Sequence, residues 1–242
     1  MNAHRNLLLV IAILAAPAAA LATPADPAAA ARGQRAYDRY CISCHGVEGD
    51  GRGPTADWID PRPRILTSGV FKFRSTPSGE LPTDADLLRT ITTGLHNTYM
   101  PTWRAITERE REDLVQFVKT LSPRFAAEPQ GKPIAIPPRP AFTPQFVAKG
   151  KELWGKMQCA ACHGATGKGD GESAPTLKDD WGYPITPKDF TRGPLKSGDA
   201  PEDLFRTFQT GLNGSPMPSF AESISPEDSW ALVAYVQSLR KE

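Results

Sequence analysis

CISCHG occupies residues 41–46, and CAACHG occupies residues 159–164. Each stretch holds two cysteines separated by two residues, and a histidine follows the second cysteine directly. Read singly, this spacing is compatible with three kinds of site: a zinc site, a redox-active dithiol and a covalent haem attachment site. The second copy starts 118 residues after the first, so the sequence around the two copies can help to choose among these sites.

The similarity between the two copies extends over most of the chain. LPTDADLLRTITTGLHNTYMPTW (81–103) matches GDAPEDLFRTFQTGLNGSPMPSF (198–220), and ITEREREDLVQFVKTL (106–121) matches ISPEDSWALVAYVQSL (224–239). These matches predict two homologous domains, at residues 28–122 and 144–242. Six prolines lie between Ser122 and Thr143. The segment 123–143 is therefore predicted to be an extended, proline-rich linker.

The first residues of the chain have the composition of an export signal. Arg5 precedes an apolar run from Leu7 to Ala22, which is shorter than the roughly 20 residues that a membrane-spanning helix needs. We expect residues 1–22 to be a signal peptide and the mature protein to be periplasmic, with a membrane anchor only if the leader is retained.

Charge gives no support for a nucleic acid partner. Without Arg5 the chain has 28 − 1 = 27 basic residues (Lys and Arg) against 27 acidic residues (Asp and Glu). A nearly neutral protein lacks the excess of positive charge that favours binding to nucleic acid or to anionic membranes. Local patches could still guide the docking of a partner protein.

Both repeats predict helices, and neither has a convincing strand pattern. The expected helix boundaries, in chain order, are Asp26-Pro27, Thr83 to Gly94, the capping box of Thr107 and Glu110, Thr143-Pro144, Ala200 to Gly211, and Ser225-Pro226. We therefore predict an all-α fold. Three helices in fewer than 100 residues contain little apolar mass for a core, which indicates that a large apolar group is added.

Of the three kinds of site, haem attachment agrees best with this setting. A zinc site built from these cysteine pairs would need four ligands close together, yet the pairs lie in separate domains. A thioredoxin-like dithiol would need a βαβ unit. Haem would use the thiols for thioether bonds and the histidines as proximal iron ligands. The candidate residues are Cys41, Cys44 and His45 in the first domain and Cys159, Cys162 and His163 in the second.

The sixth iron position has two methionine candidates at matching places. Met100 and Met217 are each followed by proline and are 117 residues apart. Met157 precedes the second motif on the same helix, so we expect it not to reach the opposite face of the haem. His96 is a rival ligand in the first repeat, but its counterpart is Asn213, which indicates a surface role. The alternative for the two methionines is simple packing.

These motifs resemble those of class I cytochromes c, and the chain as a whole resembles exported bacterial dihaem cytochromes c. The resemblance covers nearly all of the chain outside the leader and the linker. It implies two tandem domains, each wrapped around a covalently bound haem c, with histidine and methionine on each iron. It also implies that a proline carbonyl after each glycine-rich loop accepts a hydrogen bond from the proximal imidazole. GVEGDGRGP (46–54) and GATGKGDGESAP (164–175) map this role to Pro54 and Pro175, with the second loop three residues longer.

Three further groups of residues have weaker assignments. Close crossings of terminal helices are expected at Gly33 with Phe117 and at Gly150 with Tyr235. Haem propionates are expected to pair with Arg74, Arg89, Arg192 or Arg206, although Arg89 and Arg206 could equally lie on solvated helix faces. Packing at the haem edges, or ordinary core packing, is expected for Trp58, Trp103 and Trp181.

Two closed haem centres would leave no open site for a substrate, so we predict one-electron transfer and no catalytic residues. The expected partners are redox proteins: a donor dehydrogenase or reductase, and an acceptor oxidase or cytochrome. One alternative is an electron-transfer subunit of a larger oxidoreductase or oxidase complex. A less favoured alternative is a dihaem thiosulfate dehydrogenase or peroxidase. The former would need an additional cysteine ligand, and the latter a larger set of histidines.

Overall fold

The computed structural model describes residues 22–240, and its regular structure is helical. The predicted signal peptide lies outside the described residues except for Ala22. The α-helices are α1 (Pro27–Tyr40), α2 (Ile42–His45), α3 (Asp84–Thr93), α4 (Glu108–Thr120), α5 (Arg124–Ala127), α6 (Pro144–Lys156), α7 (Cys159–His163), α8 (Pro201–Thr210) and α9 (Pro226–Ser238). Short 3₁₀ helices cover Ala56–Trp58 and Ala174–Thr176. Within 22–240 there are two isolated β-bridges and no strand, so the all-α prediction is confirmed.

The predicted helix boundaries are also confirmed, and side chains cap most of them. Asp26 accepts from the backbone N–H groups of Ala28 and Ala29, and Thr83 forms a capping box with Asp86. Ala200, which precedes α8, provides no side-chain cap. No helix in the described part of the chain is long and apolar enough to cross a membrane.

The first and last long helices of each domain cross at a glycine. A Cβ on Gly33 would lie 2.0 Å from the carbonyl oxygen of Asp113, and a Cβ on Gly150 would lie 1.9 Å from that of Ala231. The crossings were therefore predicted correctly, but each glycine mainly admits a backbone carbonyl. In the second domain the Cβ of the predicted aromatic residue, Tyr235, also lies 2.8 Å from this position.

A buried aromatic ring connects each first helix to the cysteine motif. The Tyr37 hydroxyl donates to the Gly46 carbonyl at 2.7 Å, and the Trp154 ring N–H donates to the Gly164 carbonyl at 3.1 Å. The second domain has one additional residue between its aromatic ring and its motif. Gln158 accommodates this residue by taking a left-handed conformation, with φ 56°.

The linker segment 123–143 contacts both domains. It begins with α5, whose Phe125 is buried in the first core. Ile134 N–H then donates to the Ser75 carbonyl at 2.8 Å. Farther along, the Phe142 ring lies 6.3 Å from that of Trp230 in the second domain.

The two domains contact each other through segments where the repeat is irregular. The offset between equivalent residues is 118 from Cys41 to Cys159, 124 from Leu66 to Phe190 and 117 from Met100 to Met217. The second domain therefore has six additional residues before Phe190, and the first domain has seven additional residues after Lys72.

Both insertions reach across the domain interface. Arg74, from the insertion of the first domain, donates to the Thr210 carbonyl at 2.6 Å. Trp181 and Tyr183, from the insertion of the second domain, lie under the guanidinium groups of Arg64 and Arg62, at 4.7 and 4.9 Å. Residues that distinguish the two repeats thus make part of the interface.

Candidate functional site

Each domain contains an apolar crevice, of about 200 Å³ in the first domain and about 380 Å³ in the second. Each crevice gathers the predicted site residues of its own domain. The first crevice is lined by Cys41, Cys44, His45 and Met100, and the second by Cys159, Cys162, His163 and Met217. In both domains, two thiols and an imidazole from the cysteine motif thus face the same space as a thioether from a distant part of the sequence.

The cysteines occupy single helical turns, α2 with its preceding residue and α7. All four are half-buried and free of disulfide bonds. Burial raises the pKa of the Cys41 thiol to about 12 and that of the Cys159 thiol to about 11. A redox-active dithiol needs a lowered thiol pKa, so this environment argues against that kind of site. Within residues 22–240 no group of three or more His, Cys, Asp or Glu side chains could hold a metal ion by itself.

Backbone carbonyls orient the two histidines. The Nδ1 atom of His45 lies 3.0 Å from the Arg64 carbonyl oxygen, and that of His163 lies 3.3 Å from the Lys188 carbonyl oxygen. A carbonyl only accepts, so Nδ1 carries the proton and Nε2 keeps its lone pair for a metal. Burial lowers the pKa of both imidazoles and so favours the neutral form, which is the form that binds iron.

The prediction that Pro54 and Pro175 accept these hydrogen bonds was wrong. The acceptor is in each case the residue after a later proline, Pro63 or Pro187. The glycine-rich loops are also equal in length, as a hydrogen bond that recurs at an offset of 118 shows. Gly51 N–H donates to the His45 carbonyl and Gly169 N–H to the His163 carbonyl, both at 2.8 Å. The additional residues of the second domain come after its loop, where the sequence similarity is weak.

The two methionines lie on loops of the same construction. Leu95 N–H donates to the Met100 carbonyl and Leu212 N–H to the Met217 carbonyl, both at 3.0 Å. Each loop starts at a glycine with positive φ, 63° at Gly94, where a Cβ would lie 2.5 Å from the backbone of the proline after the methionine. The loop therefore folds closely over the end of the preceding helix and directs the methionine to the crevice.

Two other candidate ligands are placed differently. His96 is exposed, lines neither crevice and donates its backbone N–H to the Lys196 carbonyl across the domain interface. Met157 lines the second crevice together with Met217. The second crevice therefore contains two thioethers, but only Met217 has an equivalent in the first.

The four arginines expected to pair with propionates are engaged elsewhere. Arg74 is buried, and its guanidinium donates to the carbonyls of Phe71, Pro77 and Thr210. Arg89 and Arg206 both pair with Asp203. The Arg192 side chain is 88% exposed. None of the four lines a crevice, so the structure gives these assignments no support.

Of the three tryptophans expected at haem edges, only Trp103 lines a crevice. Trp58 is 85% exposed, and Trp181 lies at the domain interface beside Arg64. The edge assignment was therefore wrong for Trp58 and Trp181.

The cations that do face the crevices were not predicted from the sequence. Lys72 and Lys196 line both crevices, and Arg64 lines the first. A signal was present, because PRILTSGVFK (63–72) and PKDFTRGPLK (187–196) both end in lysine at equivalent positions. The interface itself, which brings the lysines together, has no repeat pattern in the sequence.

These crevices fit a haem c. Their walls are apolar, and each offers two thiols at the spacing of the thioether bonds and a neutral imidazole with a free Nε2. In the first crevice, Arg64 Nη1 and Trp103 Nε1 are buried donors with no partner among residues 22–240. Unsatisfied buried donors are costly, and the carboxylates of a haem would supply the missing acceptors.

Comparison with known proteins agrees with this geometry. Residues 147–240 match the family "Cytochrome c", and residues 28–118 match "Cytochrome C oxidase, cbb3-type, subunit III". The cbb3-type cytochrome c oxidase subunit FixP of Sinorhizobium medicae (strain WSM419) is 31% identical over 93 residues. That match covers 35% of this chain and only 27% of FixP.

A solved structure is similar over a much larger part of the chain. It is the reducing HAO-like protein complex Kustc0457/Kustc0458 of Kuenenia stuttgartiensis, with 42% identity and a TM-score of 0.85. The alignment covers 87% of this chain and 96% of that chain. The matched families, the helical fold and the paired crevices together show that this chain belongs to the class I cytochrome c family. Its two cytochrome c domains imply covalently bound haem c and a role in electron transfer.

Proposed function

We propose that this protein is an exported dihaem cytochrome c that passes electrons singly between redox partner proteins. The observation that carries the proposal is the repeated crevice, in which two thiols, a carbonyl-oriented imidazole and a methionine come from equivalent positions of both domains. A haem c bound in each crevice supplies a one-electron Fe(III)/Fe(II) couple.

The side chains have distinct roles in this proposal. Cys41 and Cys44 hold one haem by thioether bonds, and Cys159 and Cys162 hold the other. His45 and His163 are the proximal ligands, held in one tautomer by their backbone acceptors. Met100 and Met217 close the sixth positions. With these ligands in place, neither iron would have room for a substrate, which favours electron transfer over catalysis.

We further propose that the chain works as the electron-transfer subunit of a larger oxidoreductase, with an HAO-like protein as partner. The similarity to a chain of the HAO-like complex supports this choice over a freely diffusing carrier, because it extends over almost the whole of that chain. The location would be the periplasm, as the composition of residues 1–22 suggests.

The ligand set can be tested by optical absorption of the holoprotein. We expect two haems per chain and a far-red band from iron–methionine coordination that accounts for both. Met100→Ala and Met217→Ala should each remove about half of this band. Met157→Ala is the matched control, because Met157 lines the second crevice but should leave the band unchanged. Loss of the band in Met157→Ala and not in Met217→Ala would refute the assignment.

Two further measurements test the function. Rapid carbon monoxide binding by the reduced protein would indicate an open iron and would support catalysis over electron transfer. Purification from native cells tests the partner: copurification with an HAO-like protein supports the subunit role. A monomer that exchanges electrons with separate donors and acceptors would instead identify a free carrier.

A further inference from the structure

The two crevices share a wall at the domain interface. Four residues line both of them: Pro61, Lys72, Phe73 and Lys196. Lys72 belongs to the first domain and Lys196 to the second, so each domain contributes a cation to the crevice of the other. The two lysines are also equivalent positions of the repeat.

Arg64 places a third positive charge next to this shared wall, on the side of the first crevice. It lines the first crevice and lies 4.7 Å from the Trp181 ring of the second domain. A Cβ on Gly214 would come within 2.6 Å of Arg64 Nη1, so glycine at position 214 lets the second domain pack closely against this guanidinium.

The three cations have carboxylates nearby but not in contact: Asp179 and Asp180 near Arg64, and Asp60 near Lys196. In the described part of the chain, none of them forms an ion pair with a carboxylate. Burial, together with the positive charges of Arg64 and Lys196, lowers the pKa of Lys72 to about 8, even though Asp179 and Asp180 act in the opposite direction. Partly buried like charges are unfavourable unless an anion lies among them.

We infer that Arg64, Lys72 and Lys196 form one anion-binding cluster that holds the propionate carboxylates of both haems and sets both haem potentials together. This inference rests on the proposed binding of two haems. Propionates are the anions that each crevice would receive, and guanidinium and ammonium groups bind carboxylates well.

The shared position of the lysines gives the cluster a distinctive effect. A positive charge near a haem favours the reduced state, which carries one more electron, and so raises the reduction potential. A cation that lines one crevice should act mainly on one haem. Because Lys72 and Lys196 each line both crevices, removing either charge should lower both potentials.

A spectroelectrochemical titration of Lys72→Met and Lys196→Met holoprotein tests the inference, with two haems per chain verified first by haem content. We expect both one-electron steps to shift to lower potential in each variant. Lys151→Met is the matched control, because Lys151 is exposed on α6 and its loss should move neither step. A shift of one step only, or of neither, in a variant with two haems would overturn the shared cluster.

A charge-conserving variant separates electrostatics from packing. Lys72→Arg should keep both potentials close to those of the unchanged protein, whereas a purely structural role for Lys72 would make the larger arginine shift them as Lys72→Met does. Finding only one haem per chain would instead contradict the proposed dihaem function, so the two failures are distinguishable.

Discussion

At the residue scale, close backbone contacts determine where glycine is needed. Gly150 lies on α6 where α9 crosses it, and a Cβ there would meet the Ala231 carbonyl oxygen and the Cβ of Tyr235. Gly155 lies on the same helix one and a half turns later, and a Cβ there would have nothing within 4 Å. The two positions separate the steric need for glycine from its weak helix propensity.

Gly150→Ala should therefore destabilise the protein by about 1–3 kcal/mol or more, because the helices must move apart. Gly155→Ala should stabilise it by about 0.5–1 kcal/mol, because alanine is the better helix former. Urea unfolding of the holoprotein measures both changes. Equal effects of the two substitutions would contradict the tight crossing.

At the element scale, the equivalent helices α3 and α8 differ in how they start. Thr83 caps α3 by accepting from Asp86 N–H at 3.1 Å, while Ala200 leaves α8 without a side-chain cap.

A second difference between the domains is an ion pair. The helix pair α1 and α4 is joined by a bidentate ion pair of Arg32 with Asp113, at 2.6 and 2.8 Å. The second domain has alanine at the position of Asp113.

Exchanging the caps tests their contribution to stability. Thr83→Ala should cost about 1 kcal/mol, since it leaves an N-terminal N–H of α3 without its acceptor. Ala200→Ser should provide the missing acceptor and gain about 0.5–1 kcal/mol. Thermal unfolding of the two variants should shift in opposite directions, and a shared direction would mean that the caps do not control these helices.

The ion pair predicts a dependence of stability on pH. The hydrogen bonds from Arg32 are the main cause of the lowered pKa of Asp113. The folded state then binds a proton less readily than the unfolded state. The stabilisation is therefore present above the ordinary aspartate pKa of about 4 and is lost as pH falls through the lower folded value.

Asp113→Asn should accordingly unfold at lower temperature than the unchanged protein at neutral pH, and the difference should shrink at about pH 2. Melting temperatures across this range provide the measurement. A difference that stays constant with pH would show that the substitution acts through packing and not through the charge.

At the scale of the whole molecule, the repeat made the domains predictable, but not their arrangement. Helix boundaries and the crevice residues follow from local patterns, such as the capping box at Thr107 and the methionine–proline pairs. The carbonyls that accept hydrogen bonds from the histidines, and the cations that line the crevices, are placed by how the chain folds back after its glycine-rich loops. These residues lie in the matched segments 63–72 and 187–196, but no pattern in those segments indicates which partner or crevice they face. The insertions of six and seven residues, which contribute to the domain interface, have no counterpart in the other repeat to indicate their conformation.

Arg74 is central to that arrangement because it bonds carbonyls on both sides of the interface. Arg74→Met should cost about 1–3 kcal/mol, since the Thr210 and Pro77 carbonyls lose their buried donor. The looser interface should also make the linker more sensitive to limited proteolysis. Arg192→Met removes the same charge from an exposed position and should change neither property.

The wall shared by the crevices also has a consequence for how the protein is assembled. Lys196 of the second domain lines the first crevice, and Lys72 of the first domain lines the second, so each crevice includes a residue of the opposite domain. With a haem c in each crevice, as proposed, each haem would lie beside a lysine of the opposite domain. Docking of the two domains is therefore expected to be tightest in the chain that carries both haems, because only then does each interface lysine have an anion on both sides.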